Sequence, residues 1–362
     1  MSELTAPDVP TGVAASVPWA RCLLGHDLGE SPAAIGWSSC GTWLAAATVL
    51  GKILVLEVES DRQIACWDAH EEGVLALAWH PQHSILASSG KDGCVRLWQI
   101  DASAVVKIAE VVLLAGAMSR WVELLSWRND GKQLAIAHGN RVVLCSQLGV
   151  VEQTHVFPGS TIGAMCWRPA GAQLAVAGYG GIRIYSVLNP GTKPQDLKWK
   201  GSLLSMIWSP DGKVIAAGCQ DNTVHFWRMP EGRDARMSGF EYKPLQICWA
   251  KNGKWLATGG SRDLILWPFA KKGPEGCTPL SLEWHDQAIC AIAATTGRPR
   301  LASGCRAGRI AIWENAGDER PLACALLDSR VEHLQWSPHK NTPLLAASSR
   351  DGILSVWDTT QN

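Results

Sequence analysis

Residues 78–98 read AWHPQHSILASSGKDGCVRLW. An apolar run ends at Trp79, a polar turn follows, and a second apolar run reaches Ser88 and Ser89. A tight Lys91-Asp92-Gly93 corner then leads into a third run that stops at Trp98. Short runs rich in Val, Ile, Leu and Trp, punctuated by Gly, Asp, Asn and Pro, read as strands rather than helix. Three strands in 21 residues cannot bury a core alone, so the unit must recur.

It recurs through the chain. With Trp79 as the anchor ending a first strand, the equivalent positions are Trp37, Trp79, Trp127, Trp167, Trp208, Trp249, Ala294 and Trp336, with gaps of 42, 48, 40, 41, 41, 45 and 42 residues. Seven residues beyond each anchor stands an aliphatic residue: Leu44, Leu86, Leu134, Leu174, Ile215, Leu256 and Leu301. In the last copy an HKNTP insertion pushes Leu345 to nine. Eleven or twelve residues later the third run ends at Leu56, Trp98, Cys145, Tyr185, Trp227, Trp267, Trp313 and Trp357. SPDGK at Ser209–Lys213 and RNDGK at Arg128–Lys132 are tight hairpin turns in which Gly supplies positive φ. Segments such as RQIACWD leave room for a fourth strand before the next anchor, so each copy reads as a four-stranded antiparallel meander. A small sheet with two apolar faces must stack on neighbours, and a closed ring buries every inner face.

The totals agree. The 362 residues allow two ordinary domains or one large repeat domain, and 47% apolar content supports a substantial core. Lys+Arg and Asp+Glu are both 33, which argues against general nucleic-acid or anionic-membrane binding. No apolar run approaches the ~20 residues of a membrane span. The N-terminus lacks the basic start and apolar centre of a secretory signal and reads as a flexible tail. The 12 cysteines form no CxxC pair or zinc-spaced cluster, and many, such as Cys66, Cys166, Cys248 and Cys290, sit in apolar runs. They are expected to be buried free thiols in a reducing, cytoplasmic compartment. Nineteen Trp against four Phe and three Tyr fits a repeat that prescribes Trp at fixed slots.

LASSGKDGCVRLW, LASGCRAGRIAIW, LLAASSRDGILSVW and the final Trp357-Asp358 resemble the WD-repeat (WD40) β-propeller family, over essentially the whole chain from about Val17. The resemblance implies an all-β propeller. The last copy ends after its third strand, while the chain begins with WARCLLGHD, in which Cys22 and His26 match Cys66 and His70. Strand 18–25 is therefore expected to complete the last blade, which removes open edges. The domain plan is a tail at 1–17, one propeller at 18–358 and a tail at 359–362. Eight blades are expected, with seven as the alternative. Copies three and four are the irregular ones, since LAIAHGNRVVLC and LAVAGYGGIRIY lack the Asp corner and the Trp.

In this family a His, a Ser or Thr, the corner Asp and the Trp form a buried hydrogen-bond network. Copy two matches in full with His70, Ser88, Asp92 and Trp98. Copy seven has His285, Ser303 and Trp313 with Ala307 replacing the Asp; copy eight has Asp351 and Trp357 without the Ser; copy five has Asp221 and Trp227. Recurrence once per blade marks these residues as structural, not catalytic. His80, His83, His138, His155, His225, His333 and His339 show no metal-ligand spacing, so no metal and no cofactor is expected. GxSxG, P-loop and HExxH motifs are absent from the sequence.

The resemblance also implies two sets of positions on the narrow face used for partners. Ser31, Gly73, Trp121, Thr161, Ser202, Lys243, Ala288 and Arg330 precede the first strands, and Lys91, Gln220, Arg262, Arg306 and Arg350 precede the corners. Trp121 is either a binding hot spot or packing under the long connection between copies two and three, whose anchors stand 48 residues apart. Arg262, Arg306 and Arg350, with Lys243 and Arg330, form either a basic crescent for carboxylates or phosphates, or ordinary solvated charges. The leading expectation is a noncatalytic scaffold that binds a peptide or domain of another protein within a multiprotein complex. Recognition of an acidic or phosphorylated peptide is the alternative, and an enzyme with a central-channel site comes third.

Overall fold

A computed structural model of the chain describes residues 17–113, 121–270, 273–295, 299–314, 318, 320–338 and 343–359. The described secondary structure consists of strands, and every sheet pairing is antiparallel.

The two sequence offsets are cross-strand partners. Each anchor faces the aliphatic residue beyond its turn: Trp37↔Leu44, Trp79↔Leu86, Trp127↔Leu134, Trp167↔Leu174, Trp208↔Ile215, Trp249↔Leu256, Ala294↔Leu301 and Trp336↔Leu345. The aliphatic residue then faces the end of the third strand, as in Leu86↔Trp98 and Leu345↔Trp357. Register is set by which side chains must be buried, because a slip of one residue would turn the whole apolar set outward.

Burial follows the radius of the ring. The second strand of copy two, Ile85–Gly90, is buried at every position, because sheets cover both its faces. Its small residues, Ala87, Ser88, Ser89 and Gly90, let those sheets approach closely. The fourth strand of copy one, Arg62–Asp68, is mostly exposed and carries charge at both ends. Cys66 lies there and is exposed, contrary to expectation; Cys166 and Cys248 are half-buried, and burial pushes both thiols up to about 12.

The described strands form seven hydrogen-bonded sheets, six of four strands and one of six. Eight separate sheets were the first expectation, and the seven-unit count is the one observed. Copy three is regular: Val122–Trp127, Gln133–His138, Arg141–Ser146 and Val151–Val156 form a complete meander. Copies four and five share the six-stranded sheet through two 14-residue strands, Gln173–Ser186 and Gln195–Trp208. The first pairs back to copy four through Leu174–Gly178 and onward from Tyr179↔Ser202 to Ile184↔Gln195. The second continues into copy five with Leu203↔Cys219. Copies two and four differ at the position of the corner. In copy two, Asp92 turns the chain by accepting the Cys94 N–H at 3.1 Å. Copy four has Tyr179-Gly180-Gly181, with φ of 97° and 126° at the glycines, and its strand runs on. The sheet nevertheless folds back on itself: a Cβ on Gly163 of copy four would meet the Leu203 carbonyl at 2.4 Å. The two halves thus stack as neighbouring blades do, and the ring is eight repeats in seven hydrogen-bonded sheets.

The termini meet in one sheet. Arg21–Asp27 pairs antiparallel with Ile353–Asp358, from Arg21↔Asp358 to Asp27↔Ile353. The strand thus begins three residues later than the expected 18–25. Residues 18–20 lie instead along Ala323–Leu326 of copy seven, with Ala20 N donating to Cys324 O at 2.8 Å and Cys324 N to Pro18 O at 2.9 Å. Thr359, expected in the C-terminal tail, is buried and accepts Arg300 Nη1 at its Oγ1 at 2.6 Å. Residues 1–16 and 360–362 of the expected tails lie outside the described residues, as does His339.

Candidate functional site

The two expected sets of rim positions sit side by side. Within a copy, the residue before the corner donates its N–H to the carbonyl of the residue before the first strand: Lys91 to Gly73 at 3.1 Å, Gln220 to Ser202 at 3.0 Å, Arg306 to Ala288 at 3.1 Å and Arg350 to Arg330 at 2.9 Å. These bonds lie at the end of the strands opposite the hairpin turns such as Arg128–Lys132. The rim residues joined by these bonds therefore lie side by side on one face.

Three of the five crescent cations converge. Lys243, Arg306 and Arg330, from copies six, seven and eight, line one pocket of about 110 Å³, with Tyr242, Leu245 and Gln246. Tyr242 and Leu245 are exposed. Arg330 is partly neutralised by Glu332, whose Oε1 lies 3.5 Å from its Nε. Arg262 and Arg350 do not line the pocket. Arg262 is 71% exposed, with Asp263 at 3.8 Å. Burial, and then the nearby Glu283 carboxylate, hold the Asp263 carboxyl above its usual range.

The remaining pair meets elsewhere on the ring. Lys91 Nζ of copy two lies 5.7 Å from the ring centroid of Trp121 in copy three, a cation–π contact. Trp121 is 48% exposed. Residues 114–120 of the connection between copies two and three lie outside the described residues.

The buried network of copy two has the expected geometry. His70 Nε2 and the Trp98 indole N–H meet Ser88 Oγ at 2.9 and 2.8 Å, and His70 Nδ1 lies 3.0 Å from Asp92. Arg96 Nη1 donates to Asp92 at 2.6 Å, a partner that sequence reasoning missed. Burial opposes the Asp92 charge, but the bonds from Arg96 and His70 outweigh it and hold the carboxyl below its usual range. Both ring nitrogens of His70 are engaged and the ring is buried, so no substrate can reach it. Among the described residues no group of three His, Cys, Asp or Glu side chains could hold a metal.

A family model described as "WD domain, G-beta repeat" matches residues 61–99, 195–228 and 326–358. The chain is a WD-repeat β-propeller.

Curated relatives of this propeller include the meiotic fizzy-related protein 1 of Schizosaccharomyces pombe, 24% identical over 69% of this chain and 60% of its own length. The B-type cell cycle switch protein ccs52A of Medicago truncatula is 26% identical over 68% of this chain and 52% of its own. The WD repeat-containing protein slp1 of Schizosaccharomyces pombe is 24% identical over 65% and 49%. The chain thus spans about half to three fifths of the length of these relatives. Among solved structures, the computationally designed Ika8 protein matches with a TM-score of 0.74 at 19% identity, covering 93% of this chain and 98% of its own; that likeness speaks for the fold alone.

The other copies of the propeller vary the network as their sequences require. In copy seven, His285 Nε2 and the Trp313 indole meet Ser303 Oγ at 2.8 and 3.1 Å, but Ala307 leaves His285 Nδ1 buried without a partner. In copy eight, Asp351 is held by Ser329 and Ser349. Copy six has Trp267 donating to Thr258 at 3.3 Å, a pair the sequence reading passed over although the Thr stands two residues beyond Leu256.

Proposed function

We propose that this propeller is a noncatalytic scaffold that holds a peptide or domain of a partner protein against the basic rim of copies six to eight. The observation that carries this is the convergence of Lys243, Arg306 and Arg330 on one pocket beside the exposed Tyr242 and Leu245. Cations next to apolar surface suit a partner segment that pairs an acidic or phosphorylated group with an apolar side chain. The buried, fully engaged His70–Asp92 pair supports a noncatalytic reading. One relative is named a cell cycle switch protein, and a regulatory role exercised through protein partners is what that likeness supports for this chain. A reducing compartment belongs to the same proposal, supported by interior thiols such as Cys145, which burial pushes up to about 12.

The test compares the tagged wild-type protein with an Arg306→Glu/Arg330→Glu variant in affinity purification at low salt. Partners recovered by the wild type should be lost or strongly depleted with the variant, at unchanged melting temperature. An identical set and yield of partners would overturn the rim assignment.

A further inference from the structure

A cleft lies where the repeat breaks its own rules. Copy four lacks both the corner Asp and the Trp, and runs into copy five without a break. Departures from an otherwise consistent pattern tend to mark functional positions. Here the departure opens a cleft of about 720 Å³, within the range of sites that take a ligand or a partner's side chains. Phe157, Tyr179, Ile182 and Trp199 give it an apolar lining. Tyr179 is 63% exposed. An ideal Cβ on Gly180 would meet nothing within 4 Å, so the turn beside the cleft is open.

The lining is held from behind. Trp199 packs against His225 of copy five in a tilted ring contact at 3.9 Å, and His225 in turn lies 4.5 Å from Trp227. His225 Nε2 is fixed by Asp234 at 2.8 Å. A wall locked by two rings and a hydrogen bond loses little freedom when something docks on it.

The charge of the cleft is one-sided. Arg183 is satisfied by Asp196 through two hydrogen bonds, at 2.6 and 2.9 Å. Lys198 and Lys200 also line the cleft, are exposed, and make no ion pair among the described residues. They stand two apart on one strand, so they share a face at a spacing of roughly 7 Å. Residues i and i+2 of an extended partner segment repeat at that same spacing.

We propose that this cleft is a second docking site, for an extended segment of a partner protein with carboxylates at alternate positions beside an aromatic anchor. The anchor rests on Tyr179 and its apolar neighbours, and the two carboxylates meet Lys198 and Lys200. The site uses none of the rim residues of copies six to eight and stands or falls separately from them.

The experiment measures fluorescence anisotropy with labelled octapeptides carrying one Trp and a Glu-x-Glu pair at varied spacing, against the same peptides with Lys-x-Lys. At low salt the best Glu peptide should bind the wild type on the order of tenfold or more tighter than its Lys counterpart. Lys198→Glu/Lys200→Glu should abolish or reverse that preference, and Tyr179→Ser should weaken binding of the Glu peptide. Arg306→Glu/Arg330→Glu should leave it unchanged, and all variants should melt as the wild type does. Equal binding of Glu and Lys peptides, no binding at any spacing, or loss of binding in the rim variant alone would overturn the proposal.

Discussion

Trp79 of copy two donates its indole N–H to the carbonyl of Gly36 in copy one, at 2.8 Å. The bond recurs around the ring: Trp127 to Ala78, Trp167 to Ser126, Trp336 to Ala293 and Trp37 to Gln335, all between 2.9 and 3.1 Å. Each acceptor is the residue just before the neighbouring copy's anchor. The anchor Trp is thus a pin between copies, which gives a direct use for part of the unusual Trp content. The residue after an anchor often packs on the next anchor: His80 packs edge-on to Trp127, and Arg128 and Arg168 lie over Trp167 and Trp208.

Trp79→Phe should therefore cost more than its lost area. It leaves the Gly36 carbonyl without its donor, a penalty of about 1–3 kcal/mol. Trp208 is equally an anchor, but its indole Nε1 is buried without a partner. Trp208→Phe should cost less, since it deletes an unsatisfied donor rather than a made bond. Urea unfolding of the two variants gives the comparison, and equal losses would remove the pin from the account.

Asp92→Ala should destabilise the propeller by about 2–4 kcal/mol. It removes the acceptor shared by His70 Nδ1, Arg96 Nη1 and the Cys94 N–H, leaving Arg96 with Glu110 and the Ala69 carbonyl. Partner binding should fall only in proportion to the folded fraction. A fully folded variant without binding would assign the pair a role in chemistry or recognition.

Stability should fall on the acid side through His285. Burial is the main reason its pKa is driven down to about 4, from 6.5, with the Arg309 cation adding and Asp286 opposing. Between those values the unfolded chain takes up a proton that the folded protein refuses, so stability is lost as pH falls from about 6.5 towards 4. The loss attributable to this one residue is roughly 3 kcal/mol. Denaturant midpoints at pH 7 and 4.5 should show it, and His285→Gln should flatten the dependence. Ala307→Asp, which supplies the partner that copy two has, should raise the midpoint at pH 7 and weaken the acid sensitivity.

Removal of residues 1–27 should lower the melting temperature by many degrees and promote association, because the strand paired with Ile353–Asp358 is lost and an edge opens. Removal of residues 1–16 should change it little, since the contacts with Cys324 begin at Val17 and Pro18. Thermal melts of the two deletions decide the point, and a large loss for the shorter one would show that those residues contribute to the fold.

Arg262→Glu/Arg350→Glu should act differently from substitutions in the pocket. These two cations stay solvated outside the cavity, so they should slow association with an acidic partner at low salt and leave dissociation nearly unchanged. Stopped-flow or surface-based kinetics at two salt concentrations measure this. An effect confined to the dissociation rate would place both residues inside the contact.

The sequence by itself determined the repeat and its register. Those follow from local rules: a period of two along strands, Gly and Asp at turns, and an apolar residue wherever two sheets must touch. The eight anchor pairs, from Trp37↔Leu44 to Trp336↔Leu345, were readable because each is a short-range hairpin contact. The copy-two network was readable through the family resemblance, whose His, Ser, Asp and Trp positions His70, Ser88, Asp92 and Trp98 fill.

Only the tertiary structure decided what joins one copy to the next. That Trp79 reaches Gly36, that residues 18–20 lie along copy seven, and that copies four and five share a sheet all depend on contacts between chain segments far apart in sequence. The same holds for the sites. Arg262, Arg306 and Arg350 occupy one slot in three copies, yet Arg306 enters the pocket, with Lys243 and Arg330, while the other two do not. The cleft beside Tyr179 left no periodic signal, because it arises from the absence of a corner and from a wall supplied by the next copy. A repeat pattern specifies which residues are equivalent; curvature and packing of neighbouring sheets determine which of those equivalents meet.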